Sequence, residues 1–421
     1  MAVAVVAVLM IILVALGMWT GVALVLAGLV GLALSFGKLA LLQAGVIAWD
    51  LANSSTLVAI PLFILMGELL ADSRAATDLF NWIMRWSNRV SSAPALAAVT
   101  LAAMISAVSG SLAAVTAIVT RTSYARLRAE GLPARQAVGL TASSGALGIM
   151  IPPSLTLIIY GSLTETSIST LFRVAVVPGL IEAFLFLACA AFLWHRHSVR
   201  NGAAKQATTG DSSVSAAWQF PAAIGIVIGG FISGLLSPVE AAGLGALLGL
   251  VINAINGELT WQKLRLASRR TTVTTAMILL IVLGAQMVSA TLAFHGFTRS
   301  ISLFIQALPV PPLGVLAMTA LLYIALGTMF DGLSMMVLTL PFLFPAVRAL
   351  GQDPLWFGVL LVVCVQLAEI SPPVGINLFV AQQLTGEKIE EVWRGVLPYF
   401  ALLITMLVLL LLFPKLGLLL Q

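Results

Sequence analysis

Long apolar runs joined by short polar connections fill the chain. They span roughly residues 3–17, 20–36, 56–71, 94–120, 137–161, 171–194, 218–236, 239–255, 271–294, 311–347, 355–381 and 395–419. A helix crossing a bilayer needs about 20 mostly apolar residues. The pattern therefore predicts an all-α polytopic membrane protein with on the order of a dozen spans. Two stretches, about 72–92 and 296–309, break the pattern. Leu79, Trp82, Ile83 and Trp86 in the first, and Ile301, Phe304, Ile305 and Leu308 in the second, put apolar residues at helical spacing on an otherwise polar segment. Such segments are expected to lie in the membrane interface as amphipathic arms. No Lys or Arg precedes the run 1–17, which argues against a signal peptide, and Gly17-Met18-Trp19-Thr20-Gly21 reads as a tight turn into a second span.

Composition agrees. Of 421 residues, 60% are hydrophobic and 9% charged, against about 25% charged in a soluble domain. This excludes a cytosolic enzyme, a secreted domain and a nucleic-acid binder; the net charge of +5 comes from short basic clusters between apolar runs. Cys189 and Cys364 lie in separate apolar runs and read as small buried hydrophobes. His195 and His197 fall in a polar loop and His295 stands alone, so no metal constellation arises. His-Glu-x-x-His and a phosphate loop ending in Gly-Lys-Ser or Gly-Lys-Thr are absent. A serine nucleophile would find no Lys or His partner within 94–161 or 311–381. No resident cofactor is expected.

The basic residues assign sides. Sixteen of the 21 Lys and Arg, among them Arg74, Arg121, Arg135, Arg196, Arg269 and Lys388, fall on one side, and only Lys38, Arg173, Arg299, Arg348 and Lys415 on the other. The positive-inside rule makes the first side cytoplasmic and leaves the C-terminus outside. The division holds only if 94–120 enters and leaves from the cytoplasm and 311–347 from outside. Both are then re-entrant helical hairpins, with Ser106 to Ser111 and Gly327 to Ser334 at their tips. Non-helical backbone at membrane depth is tolerated where protein or a wet cavity satisfies it. The alternative is a pair of ordinary spans with polar kinks.

Self-comparison finds an internal repeat. Pro152-Pro153 answers Pro372-Pro373, and Pro178 answers Pro398, both 220 positions on. Leu79 answers Ile301 at an offset of 222. Leu163-Thr164 answers Leu384-Thr385, and Pro133 answers Pro354. With the charges, this predicts two inverted repeats, each an interfacial arm, a re-entrant hairpin and a span broken at Pro-Pro, the usual plan of secondary transporters. The expected division is N-terminal spans over 1–55, a first repeat over 56–194, a cytoplasmic linker over 195–217 and a second repeat over 218–419.

Several segments resemble the large membrane subunit, DctM type, of tripartite ATP-independent periplasmic (TRAP) transporters. They are Pro61 to Gly67, Ser109-Gly110-Ser111, Gly148 to Ser154, Ser237 to Ala242, Gly327 to Pro341 and Ser371 to Phe379. The resemblance covers nearly the whole chain. It implies sodium-driven uptake of an organic acid, typically a carboxylate, by an elevator motion in a bacterial inner membrane. It also implies a small four-span partner of the DctQ type and a periplasmic binding protein of the DctP type. The chain begins with its large-subunit spans, so the small subunit is expected as a separate polypeptide. The tips lack the Asn that many related ion transporters carry between their small residues.

The residues suggest where ions and substrate bind. Pro152 and Pro153 stop a helix and free the carbonyls upstream. Ser143, Ser144 and Gly145 before that break, facing Ser106, Ser109, Gly110 and Ser111 of the first tip, would form a neutral sodium site. Gly327, Thr328, Asp331, Gly332 and Ser334 of the second tip, with Glu369 before Pro372 and Pro373, would form another. The competing reading is that the small residues only permit close packing, and that Asp331 caps a helix or meets a docking partner. Ser154, Thr156 and Asn377, at helix starts beyond the breaks, are the candidate substrate donors, since half-helix N-termini attract anions. Arg299 and Arg348 on the outer face either dock the binding protein or are simply solvated. Glu68 is expected to mark the first arm's interface, Glu240 to cap a helix, and Gly245 to Gly249 to serve close packing. A binding-protein-independent anion carrier of the same plan, or a channel, are the competing functions; saturation and sodium coupling separate carrier from channel.

Overall fold

The computed structural model describes residues 2–71, 73–86, 90–201, 217–307, 309–327, 330–371 and 375–420, with backbone alone at 74–77, 86, 108–109, 198–201 and 298. The described residues form helices without strands. In chain order they are α1 (Ala2–Ala15), α2 (Thr20–Phe36), α3 (Ala40–Ala52), α4 (Ala59–Ala71), α5 (Arg74–Trp86), α6 (Ala93–Ser109), α7 (Leu112–Ala129), α8 (Ala134–Ser144), α9 (Leu155–Thr164) and α10 (Ile168–Asn201). After these come α11 (Gln219–Ile232), α12 (Pro238–Ile255), α13 (Trp261–Phe294), α14 (Phe297–Ala307), α15 (Pro312–Leu326), α16 (Gly332–Ala349), α17 (Pro354–Ile370), α18 (Ile376–Thr385) and α19 (Ile389–Leu412). A short 3-10 turn, Gly145–Ile149, follows α8.

Six helical stretches are long and apolar enough to cross a membrane, fewer than the dozen runs in the sequence. The difference has a physical origin. The runs 94–120, 137–161, 311–347 and 355–381 are each split by a break, and most of the resulting halves are too short to span alone. The turn at Gly17 is present, with φ +79°. Both arms form helices, α5 and α14, and α5 buries Leu79, Phe80 and Ile83. One element was not anticipated: α3, whose Leu41, Leu42 and Trp49 are exposed. The polar loop expected to begin at 195 is instead helical through Asn201, and His197 Nε2 lies 2.9 Å from the Gly131 carbonyl. Residues 202–216 of the expected linker lie outside the described residues.

Two packing patterns organise these helices. In the first, α2 lies along α13, and α12 lies along α4. Glycines make both approaches close: Gly28 faces Met287, Gly31 faces Thr291, and Gly284 faces the backbone of Leu24 and Val25. In the other pair Gly245 faces Met66 and Gly249 faces Leu69, as the small-residue spacing there suggests. Asn253 ties the second pair by donating to the Leu69 and Gly249 carbonyls, each at 2.8 Å.

The second pattern gathers the split helices. Every residue of α17 from Trp356 to Ile370 is buried, as are residues 137–149 and Leu155 to Gly161. A helix buried on all sides is apolar all round, and α17 carries only Gln366 and Glu369 as strongly polar residues after its first turn. The tightest backbone approach joins α8 to α19, where a Cβ built on Gly139 would lie 2.2 Å from the Gly395 carbonyl carbon. Gly139→Ala is therefore expected to cost about 1–3 kcal/mol through overpacking. Gly45→Ala, on α3 with nothing within 4 Å of the new methyl, should not lower stability. Thermal unfolding of the two purified variants compares them directly, and equal melting temperatures would refute the close approach.

Candidate functional site

The sequence places its candidate ligands at two breaks and two tips, and the fold brings each tip onto a break. Between α6 and α7 the chain turns at Gly110, φ +57°, and α7 starts at Ser111, whose hydroxyl accepts from Ala114 N at 3.5 Å. Gly110 lies against Leu155 at the start of α9. Across the same junction Gly145 lies against the Leu112 carbonyl and Thr116 Oγ1, and Thr116 donates to the Ala142 carbonyl at 3.4 Å. The absence of a side chain at 145 allows this contact, since any Cβ would meet Thr116 Oγ1 at 2.0 Å.

The hydroxyls at this first junction divide. Ser106 donates to the Ala102 carbonyl and Ser144 to the Leu140 carbonyl, both within their own helices. Ser143 is fully buried and its hydroxyl has no partner. Native interiors seldom leave such a group unpaired. The side chain of Ser109 lies outside the described residues.

At the second junction α16 starts at Asp331, whose carboxylate accepts from Ser334 N at 3.1 Å and from the Ser334 hydroxyl. Asp331 is therefore a helix cap, one of the readings the sequence left open. Its capping pattern matches that of Ser111, 220 positions earlier. Glu369, buried in α17, accepts from Gly332 N. Gly332 lies against Val365 and Glu369, and Gly327 against Ala368. Two carboxylates thus meet at one tip, and among the described residues neither forms an ion pair. Thr328, Pro372 and Pro373 lie outside the described residues. The flanks of their break are visible: Gly375 N donates to the Ser371 carbonyl at 3.1 Å, and Gly375 lies against the Glu369 carbonyl.

The candidate substrate donors fare unequally. Ser154 is spent in part as the cap of α9, accepting from Leu157 N at 3.3 Å. Thr156 is buried on the same first turn. Asn377, in the first turn of α18, is fully buried with neither amide atom partnered. α18 packs against α7 and α8, so Asn377 belongs to the same group of helices as Ser143.

Outside the junctions, Glu240 forms a full capping box with Ser237, and Glu68 pairs with Arg270 at 3.2 Å. Arg299 and Arg348 are exposed. Sequence reasoning passed over Glu182. It sits inside the run 171–194, is 1% exposed, and meets Gln366 of α17. A lone carboxylate in an apolar run was the available signal.

The architecture is that of a polytopic helical membrane protein with discontinuous spans. The chain resembles in fold the crystal structure of the Alcanivorax borkumensis YdaH transporter, with a TM-score of 0.64 and 16% identity over 88% of each chain. The family model of the tripartite ATP-independent periplasmic transporter DctM component matches residues 7–416. The chain belongs to that family. Among curated relatives, the C4-dicarboxylate TRAP large permease of Pseudomonas aeruginosa is 27% identical, covering 88% of this chain and 87% of its own. The sialic acid large permease of Vibrio cholerae is 28% identical over 87% and 86%. The ectoine/5-hydroxyectoine large permease of Ruegeria pomeroyi is 28% identical over 98% and 97%.

The orphaned hydroxyl of Ser143 generates a test. Replacing it with Ala removes a buried group that lacks a partner, a change that is neutral or stabilising when no ligand is bound. Ser143→Ala is expected to keep or raise the melting temperature in sodium-free buffer and to shrink the rise produced by adding sodium at constant ionic strength. An undiminished sodium-dependent rise would remove Ser143 from the ion site.

Proposed function

We propose that this chain is the permease of a sodium-coupled secondary uptake system for an organic acid in a bacterial inner membrane. It works with a small four-span membrane subunit and a periplasmic binding protein that delivers the substrate. Its helices divide into two inverted repeats that move as an elevator, the α6–α7 pair opening toward the cytoplasm and the α15–α16 pair toward the periplasm. The pair of tip-on-break junctions carries this reading. Sodium is a hard cation that takes several oxygen ligands, and each junction offers them: carbonyls and hydroxyls around Gly145, and two carboxylates around Gly332.

Further support comes from matched positions. Ser111 and Asp331 cap equivalent helices. Gln366 donates to the Ala146 carbonyl at 2.8 Å, and these two residues are themselves 220 apart, as expected where a two-fold axis relates the copies. The pairing of α2 with α13 and α12 with α4 follows the same exchange and extends the repeat back to α1 and α2. The relatives' substrates, C4-dicarboxylates, sialic acid and ectoine, share a carboxylate. The unpartnered amide of Asn377 at the α18 N-terminus suits that group.

Uptake in liposomes carrying this chain, its small subunit and the binding protein is expected to require sodium and all three proteins. Asp331→Asn keeps a capping side chain but removes the charge. It should raise the sodium concentration for half-maximal rate by roughly ten- to a hundredfold, as loss of a charge-assisted contact of about 1.5–3 kcal/mol implies. Uptake that proceeds equally well without sodium would discard the ion coupling. The topology has its own measurement. Single cysteines at Ser91 and Arg121, with Cys189 and Cys364 replaced, should react with an impermeant thiol reagent from the same, cytoplasmic, face. Labelling from opposite faces would make 94–120 a simple span.

A further inference from the structure

α10 runs from Ile168 to Asn201, and Glu182 lies near its middle. At a rise of about 1.5 Å per residue this is roughly 20 Å or more from either end. The carboxyl is 1% exposed. Gln366 Nε2 is its hydrogen-bond partner among the described residues, at 2.9 and 3.1 Å from the two oxygens. The same nitrogen donates to the Ala146 carbonyl at 2.8 Å, while Gln366 Oε1 is buried with no partner.

The elements packed against α10 supply no countercharge at this depth. α6, α11 and the turn 145–149 carry no Asp, Glu, Lys, Arg or His, and α9 offers only Tyr160. α17 contributes Cys364 and Glu369, and α19 contributes Glu390, Glu391, Arg394 and Tyr399. Arg135 of α8, Arg394 and Lys415 are all exposed, and none forms an ion pair with Glu182. On α10 itself Arg173 is exposed near the start, Cys189 lies two turns on, and His195, Arg196, His197 and Arg200 cluster at the far end.

An ionised carboxylate held this way is costly, because one amide N–H cannot replace its hydration. A neutral carboxylic acid solves the arrangement completely. Its O–H donates to Gln366 Oε1, its carbonyl accepts one amide N–H, and the other N–H stays on the Ala146 carbonyl. Every donor and acceptor of the amide is then used, at the cost of a small turn of the Gln366 side chain. We propose that Glu182 binds a coupling proton, and that the hydrogen-bond chain Glu182–Gln366–Ala146 ties its protonation to both broken spans. Gln366 precedes the second break by a few residues, and Ala146 lies in the turn before the first. The site releases its proton, as Glu182–COOH to Glu182–COO⁻ and H⁺, when rearrangement of the two breaks lets water reach it. This proposal rests on the carrier reading above and adds a second ion to it.

Two measurements test it. The first uses the full chain purified with its membrane partner and needs no transport. Infrared difference spectra taken across a pH titration are expected to contain a protonated-carboxyl C=O band that is absent in Glu182→Gln. The neutral variant mimics the protonated side chain and keeps its shape. If that variant fails to insert, Gln366→Leu retains the carboxyl and must move the band to higher frequency, since its hydrogen bond is lost. A band unchanged by either substitution overturns the proposal. The second measures uptake in liposomes at fixed sodium gradient and fixed internal pH. Raising the external pH should slow the wild type, while Glu182→Gln loses that pH dependence and keeps its sodium dependence. A pH-independent wild type, or a variant with the wild-type pH profile, rejects the proton site and leaves the sodium reading intact. A protein that takes up nothing under any condition speaks against the carrier reading, and the infrared result still decides the proton.

Discussion

A backbone that stops being helical inside a membrane must find partners for its free carbonyls and amides, and lipid offers none. Around the two breaks of this chain the turns of α6–α7 and α15–α16 pack closely, and side chains supply partners: Gln366 donates to the Ala146 carbonyl, Thr116 donates to the Ala142 carbonyl, and Glu369 accepts from Gly332 N. Such close packing requires that one side of each junction lack a side chain. The first junction puts the glycine before the break, at Gly145, against Leu112. The second puts it on the tip, at Gly332, against the side chains of Val365 and Glu369. Leu112 and Gly332, like Gly145 and Val365, are 220 positions apart. The small residue thus stands on opposite partners at the two junctions, against a backbone carbonyl at the first and against side chains at the second.

This explains which features were legible in the sequence. Pro-Pro pairs and Gly-Ser clusters act locally, by removing donors or permitting a positive φ, and they located the breaks and tips within a few residues. Amphipathic spacing is also local, and α5 and α14 followed. Features that depend on distant partners were not readable. α3 carries no span-length run, and it packs against α2 and α13. Ser154 also caps its own helix, accepting from Leu157 N, while its O–H can still donate. Asp331 looked like a ligand, and it is a cap that also brings its charge to the tip. Glu182 stood out locally as a lone carboxylate in an apolar run, but its partner Gln366 lies 184 positions away and could not be read from that run.

The buried carboxyl groups have no basic counterpart among the described residues. Among the described residues, Glu182 and Glu369 are the only buried Asp or Glu side chains, and no Lys or Arg joins them. Asp331, half-buried beside Glu369, adds a further carboxyl group. Where Asp331 and Glu369 are ionised, they repel an anion. Backbone dipoles at the starts of α9 and α18, and the free amide of Asn377, are weaker attractors than a full opposing charge.

On the proposed carrier reading, this imbalance sets an order of events. A carboxylate entering while Asp331 and Glu369 are both ionised and bare would meet their repulsion in a medium of low dielectric, where charges a few ångströms apart interact far more strongly than in water. Sodium at the second junction offsets that charge before the anion arrives. Once the cation sits there, the anion gains an attraction that it lacked, and the cation in turn is held more tightly by the anion. The two affinities must rise by the same factor, since coupling between two bound ligands is reciprocal. A carrier with a buried arginine would bind its anion without a cation and would lack this reason to couple the two fluxes. On that reading, with no buried basic side chain among the described residues, the cation would be a precondition for binding the anion.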